Sequence, residues 1–436
     1  MKRVFFFLSF AIVLLMVSQA LTQTTDASPK ERTWNNMSIS TNIEAGWRWR
    51  DVDGNNDVYR THLNVGDGFK LFNVFVQGLP AGENNKLFDS FLISTSSLID
   101  ETAQRASVMF RKRGIYKFDF NYRDQKYIFF YPNFALNQHR NDNQRRFIDA
   151  NLAVTPGKMR LNLGFSRYTF EGDAFSTWDF SRDEFIVFAP VNRTTNDFRL
   201  GWDFSWLGVD ISLEQIIRNF DGKTDFSLLP ADSLGNNPTN RTKVRQYSRA
   251  APIDGSAPVS RVALHKPFGE KVDVTGRYVY SKNSVDFFSD QLVRGVDFNG
   301  RNLTEQTRWT GSSERPSHLA EIGGVFDATA ALRFTDSFRF HKYNIAGETS
   351  ETITTLVGTP TSTVPQEEFK SDIDVSNIEN RIDAEYLFSR RFAVRAGYRY
   401  GYRKVAFIDP EAGSSEIDTT FTTNTFLGSL SYRLNN

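Results

Sequence analysis

Cysteine is absent from all 436 residues. That excludes disulfides, thiolate metal sites, covalent haem attachment and a cysteine nucleophile together. It suits an exported bacterial chain that folds outside the cytosol. A surplus of either charge is missing too: 52 basic against 51 acidic residues leave a net charge of +1. Nothing in that balance points to nucleic acid as a partner. Long hydrophobic runs are lacking beyond the first residues. There, Lys2 and Arg3 precede an uncharged stretch from Val4 to Val17, and Ser18-Gln19-Ala20 follows. This reads as a secretory signal peptide over residues 1–20. The stretch is shorter than the roughly 20 apolar residues of a membrane-spanning helix. Catalytic signatures are missing as well. No HExxH, no P-loop, no GxSxG and no Cys-x-x-Cys-His occurs, so neither an enzyme nor a cofactor held by this chain is expected.

What is present is an aromatic load of 14 %, with 40 phenylalanines, beside a mean hydropathy of −0.42. A polar average and a heavy aromatic content coexist where apolar and polar residues alternate. They do so in RRFAVRAGYRYGYRKVAF, residues 390–407. Tyr398, Tyr400 and Tyr402 fall on one parity; Arg391, Arg395, Arg399 and Arg403 fall on the other. Tyr116, Phe118, Phe120 and Tyr122 interleave with Lys117, Asp119 and Arg123. Trp202, Phe204 and Trp206 continue a stripe from Phe198 and Leu200, and Phe334, Phe338 and Phe340 alternate with Arg333 and Arg339. A period of two over such lengths means strands with one apolar and one polar face.

Short connections stand at Thr155 to Lys158, Leu207-Gly208, Pro267 to Glu270, Asp327 to Thr329 and Ser389 to Arg391. Between them run long polar stretches, 171–193, 222–256, 284–315, 344–374 and 406–416, which are expected to be loops. Short turns on one side and long loops on the other suggest an all-β fold, a transmembrane antiparallel up-and-down β-barrel. About 16 strands are expected, within 14 to 18, one of them spanning residues 58–76. Residues 21–36 read as a periplasmic linker and 37–436 as the barrel, in a bacterial outer membrane. Outer-membrane lipid and the barrel-assembly machinery are the expected partners. The loop 284–315 is read either as a lumen constriction or as a surface loop.

One hairpin fixes a register. Ile378, Ile382, Ala384, Tyr386 and Phe388 share a face, and Asn377, Glu379, Arg381, Asp383 and Glu385 share the other. Matching parity across the pair predicts a three-residue turn, Ser389 to Arg391. Phe388 then opposes Phe392, Glu385 opposes Arg395 and Ile382 opposes Tyr398. The candidate pore lining is therefore Arg391, Arg395, Arg399, Arg403, Glu379, Asp383, Glu385, Arg333, Arg339, Lys117, Asp119 and Arg123. The candidate lipid-facing belt is Tyr398, Tyr400, Tyr402, Tyr116, Phe118, Phe120, Tyr122, Trp202, Phe204 and Trp206. Five histidines, His62, His139, His265, His318 and His341, are scattered. His265 and His341 fall on polar faces and read as solvated wall residues, with no metal site.

The segments VYRTHLNVGDGFKLFNVFVQG, KLFDSFLISTSSLIDE and YKFDFNYRDQKYIFFYPNF, between Val58 and Phe134, resemble the early strands of the MtrB/PioB type of outer-membrane barrel. That resemblance implies a sheath enclosing a partner's multihaem cytochrome, through which electrons cross the outer membrane. Some members carry an N-terminal Cys-x-x-Cys, which this chain lacks. Two functions stay open at this point: a water-filled, charge-lined pore for passive passage of small solutes or ions, and the cytochrome sheath.

Overall fold

The computed structural model describes residues 33–34, 36–81, 87–99, 101–131, 139–357, 361–409 and 415–433. The expected signal peptide lies outside them, as does most of the expected linker. The described residues form one short helix and twenty strand segments. The first ten strands are β1 (Thr33–Trp34), β2 (Met37–Arg48), β3 (Gly68–Pro80), β4 (Ser90–Ser96), β5 (Ala103–Lys112), β6 (Tyr116–Tyr131), β7 (His139–Val154), β8 (Arg160–Phe180), β9 (Asp183–Phe188) and β10 (Val191–Trp206). The rest are β11 (Val209–Leu228), β12 (Ser233–Leu234), β13 (Lys243–Ser256), β14 (Val259–Phe268), β15 (Val272–Val296), β16 (Asn302–Asp327), β17 (Leu332–Val357), β18 (Thr361–Ser389), β19 (Phe392–Asp409) and β20 (Ser415–Tyr432). Each of the sixteen expected segments overlaps one strand; β1, β9, β12 and β13 are additional.

All ladders are antiparallel, and pairing runs up and down from β2 to β20 with sequence neighbours beside each other. The architecture is the expected all-β, up-and-down barrel sheet. β2 runs away from the short-turn end and β20 toward it. Among the described residues no ladder joins these two strands.

Parity is kept across the sheet. Hydrogen-bonding neighbours form one row: Tyr116, Val154, Leu161, Trp202, Leu213, Val262, Tyr278, Ala320, Phe340, Ile378, Tyr402. The row begins at the first residue of β6 and ends well up β19, beyond Phe392. The strands are therefore tilted against the row, as a closing barrel requires. Short turns fit this geometry. Leu207 and Gly208 take φ 52° and 74°, the positive-φ pair of a two-residue hairpin whose twist matches its strands.

Four expectations are corrected. The long polar stretches are largely strand rather than loop, although 229–232 and 235–242 stay irregular: β15 to β18 run on as ribbons 25, 26, 26 and 29 residues long. These ribbons are more than twice the roughly 9–11 strand residues that a membrane crossing takes. The loop expected over 284–315 is the paired extension of β15 and β16, turned at 297–301. Residues 58–76 are not one strand. Asn56–His62 form a helix, α1, capped by Asn55, whose side chain accepts from the N–H groups of Asp57 (2.8 Å) and Val58 (3.2 Å). Glycine at 68, with φ 98°, then opens β3. Helix α1 covers a sheet edge: β6 overshoots its partner β5, and the N–H of Phe130 donates to Thr61 Oγ1 at 3.0 Å. Finally, the turn after β18 is two residues, Arg390-Arg391. The odd residue is taken up as a register shift between Leu387 and Ser389. The expected register nonetheless holds below it, with Glu385 opposite Arg395 and Ile382 opposite Tyr398. Phe388 no longer pairs with Phe392, though their rings lie 5.3 Å apart.

High on the ribbons the polar face turns apolar. Trp178 stacks between Phe180 (4.8 Å) and Tyr247 (4.2 Å), beside buried Phe185, Val187 and Val293. Buried Asp183 holds this cap by accepting from the N–H groups of Asn237 (2.8 Å) and Thr242 (2.7 Å).

The 297–301 tip depends on one carboxylate. Asp297 accepts from the N–H groups of Asn299 (3.0 Å) and Arg301 (2.8 Å) and pairs with the Arg301 guanidinium. Burial pushes its pKa up, but the Arg301 backbone and side chain and the Asn299 N–H outweigh that and hold it below 3.8. A depressed carboxylate stabilises above its ordinary pKa, and the contribution is lost as pH falls through the folded value. Asp297→Asn is expected to speed hydrogen exchange at 297–301 at neutral pH. The difference from wild type should vanish as the pH falls through the lowered value.

Candidate functional site

The polar face carries the candidate chemistry. Arginines on it are matched locally. Arg218 grips Asp197 through Nε and Nη2, each 2.7 Å. Arg333 grips Asp327 at 2.6 and 3.2 Å. Arg261 meets Glu214 at 2.8 Å, and Arg277 meets Glu321 at 2.7 Å. Lys117 pairs with Asp119 at 2.8 Å, and Arg123 lies over the Phe147 ring at 4.8 Å. Arg199 donates to Asp149 (2.6 Å) and Asn151 (3.0 Å) across Gly164. A Cβ at 164 would lie 2.5 Å from Arg199 Nε, so glycine gives this guanidinium room to lie flat on the wall.

The β18–β19 ladder departs from that matching. Asp383, only 4 % exposed, accepts from three guanidiniums: Arg381 Nε at 2.7 Å, Arg395 Nη2 at 3.0 Å and Arg399 Nη1 at 3.1 Å. Sequence reasoning placed Asp383 beside the arginine column but did not foresee this convergence, nor include Arg381 as a candidate. The signal was present: Arg395, Gly397, Arg399, Gly401 and Arg403 alternate on one parity. Gly397 pairs with Asp383, and a Cβ there would lie 2.2 Å from its Oδ1. The glycine leaves the cleft into which the arginines fold.

Other predicted residues are placed as follows. Arg403 shares the face, opposite Asn377 and Phe421, and makes no ion pair or hydrogen bond among the described residues. Arg339 lies 3.4 Å from Glu321 and 3.9 Å from Glu379. Glu385 shares the face without an ion pair among the described residues. Arg391 is not on it: it sits in the two-residue turn because the odd residue moved into the strand. A recess of about 830 Å³ is lined by Arg339, Arg381, Arg399, Arg403, Asn377 and Glu379, among others. Lys117, Asp119, Glu379, Asp383, Arg395 and Arg399 alternate with residues of the apolar row, and the ten aromatic candidates fall on the parity of that row. His265 lies between Asp273 (2.8 Å) and Asp210 (3.4 Å), and His341 lies 3.1 Å from the Ser317 hydroxyl. His318 falls on the apolar parity, against the Tyr278 hydroxyl at 2.8 Å. Among the described residues no group of three or more His, Cys, Asp and Glu could hold a metal ion.

No family model matches the chain, and no curated protein matches it. Solved structures similar to it include the ferric yersiniabactin uptake receptor FyuA from Yersinia pestis, at 10 % identity and TM-score 0.35, covering 84 % of this chain and 70 % of that one. The CymD monoaromatic hydrocarbon channel is similar at 10 % identity and TM-score 0.27, covering 76 % and 82 %. The ferric-catecholate import receptor Fiu from E. coli K12 is similar at 9 % identity and TM-score 0.28, covering 83 % and 73 %.

Removing Asp383 leaves three guanidiniums packed together without their shared anion. Breaking a buried pair costs about 3–5 kcal/mol, and the arginines here are partly solvated, so Asp383→Asn is expected to lower stability by about 2 kcal/mol. The denaturation midpoint of the detergent-folded protein measures it. Asp383→Asn combined with Arg395→Gln should recover part of the loss.

Proposed function

We propose that the chain is exported to a bacterial outer membrane, where it forms a water-filled, charge-lined pore for passive passage of small solutes or ions. One observation carries this reading: the eleven strands of the row from β6 to β19 keep an apolar parity against a polar, charge-bearing parity, in register, just above the short turns. Two parities need two solvents. The apolar row meets lipid, and Lys117, Asp119, Arg123, Arg333, Arg339, Glu379, Asp383, Glu385, Arg395, Arg399 and Arg403 meet water inside. Backbone groups of such a sheet are satisfied by their neighbours, the condition for crossing hydrocarbon. A barrel of about sixteen strands leaves an aqueous channel, and charges along it bias which ions pass.

The lipid assignment has a sharp consequence. Leu200 is 51 % exposed on the bare protein, so Leu200→Arg would be nearly neutral in a water-soluble β protein. Facing lipid near mid-bilayer, the same change costs about 2–4 kcal/mol. Folding titrations into lipid vesicles should show that loss, with Ser212→Arg on the other parity close to wild type. Single-channel recording of the purified chain in a planar bilayer tests the pore. An ohmic conductance supports it. Conductance that opens only after a bound multihaem cytochrome is removed would favour the sheath instead, and a chain that stays dissolved without detergent would end both readings.

A further inference from the structure

The wall of β17–β19 is not electrically balanced. Arg333 and Arg339 are taken up by carboxylates of β16, Asp327 and Glu321, whereas on the polar parity between Asn377 and Arg403 four cations, Arg381, Arg395, Arg399 and Arg403, share three anions, Glu379, Asp383 and Glu385. The surplus gathers at Asp383, where one carboxylate serves three guanidiniums. Each reaches it through a single nitrogen, whereas Arg218 and Arg333 close two-pronged bonds on their own partners. A guanidinium has five N–H donors, so most donors of Arg381, Arg395 and Arg399 are not engaged by Asp383. Arg403 lies on the same face beyond Gly401, exposed, with no charged partner among the described residues. Gly401 stands between Arg399 and Arg403 on the same parity, and a Cβ there would lie 2.5 Å from Thr423 Oγ1; all three line the recess.

We propose that this recess is an oxyanion-binding station on the pore wall, selecting solutes that carry a phosphate, sulfate or carboxylate group. The inference rests on the pore reading for its biological sense, but the site itself is a property of the folded sheet. Planar guanidinium forks match two oxygens of such groups. Asp383 gathers three cations that would otherwise repel one another, which holds the forks in place before a ligand arrives. Arg403 supplies an uncompensated charge. Glu379, held near Arg339 and accepting from Asn377 Nδ2 at 2.7 Å, borders the recess and discriminates against ligands that extend a second negative group toward it.

The test uses the full mature chain folded in detergent, with inorganic sulfate and inorganic phosphate as probes, titrated calorimetrically at low ionic strength. Saturable binding is expected, weakening with added chloride salt. Arg403→Gln should weaken it about fivefold, the factor set by one unit charge at contact distance in a water-like dielectric. Arg399→Gln with Arg403→Gln should weaken it further. Arg403 has no ion pair or hydrogen bond to lose among the described residues, so its variant should fold as wild type does, checked by heat-modifiable gel mobility. Arg261→Gln, on a balanced sector, should bind as wild type does. No saturable binding, or equal binding in the Arg403 and Arg261 variants, overturns the station. Planar-bilayer recording separates the two readings. Conductance without oxyanion binding sinks the station and keeps the pore; binding without conductance keeps the station and sinks the pore.

Discussion

The backbone hydrogen bond between neighbouring strands is the constraint on which the molecule depends. Each ladder fixes which residues oppose one another, and the period of two sends successive side chains to opposite faces. One slipped position would bring Arg395 into the row that holds Ile382 and Tyr398. Register is therefore enforced by both faces at once, and the enforcement passes strand by strand from Tyr116 to Tyr402. Local features serve it: the positive-φ pair Leu207-Gly208, the shift beside Phe388, and helix α1 on the overshooting edge of β6.

The alternation was legible wherever a strand keeps one apolar and one polar face. From residue 116 to 126, 194 to 221 and 375 to 405 the parity could be read directly, and it predicted the pairing of Glu385 with Arg395 and of Ile382 with Tyr398. Beyond the apolar band both faces of a strand are wet or pack on protein, so alternation is no longer required. The ribbons 284–296 and 302–315 are as regular in their backbone as the strands below, yet their sequence reads as loop. Helix α1 was missed for a related reason. It is a helix of seven residues, about two turns, whose only clear signal is Asn55, and Tyr59-Arg60 mimics the start of a strand.

The site was legible by type and side but not by connection. The arginine column and its acidic neighbours were readable from parity. The gathering of Arg381, Arg395 and Arg399 on one buried carboxylate was not, because it depends on how far long side chains travel along the wall. Glycines decide that travel. Gly164 beside Arg199 and Gly397 beside Asp383 act through the volume they leave empty, and an empty volume has no signature until its neighbours across the ladder are known. Arg391 went the other way: its parity was right for a three-residue turn, and the chain absorbed the extra residue one step earlier.

Because each main strand pairs with its neighbours in sequence, the molecule has a modular grammar. A hairpin can be duplicated or lost without rewiring the ladders that remain, provided an even number of strands and the shared parity are kept. The width of the sheet could then change while the β18–β19 arginine sector stayed as it is.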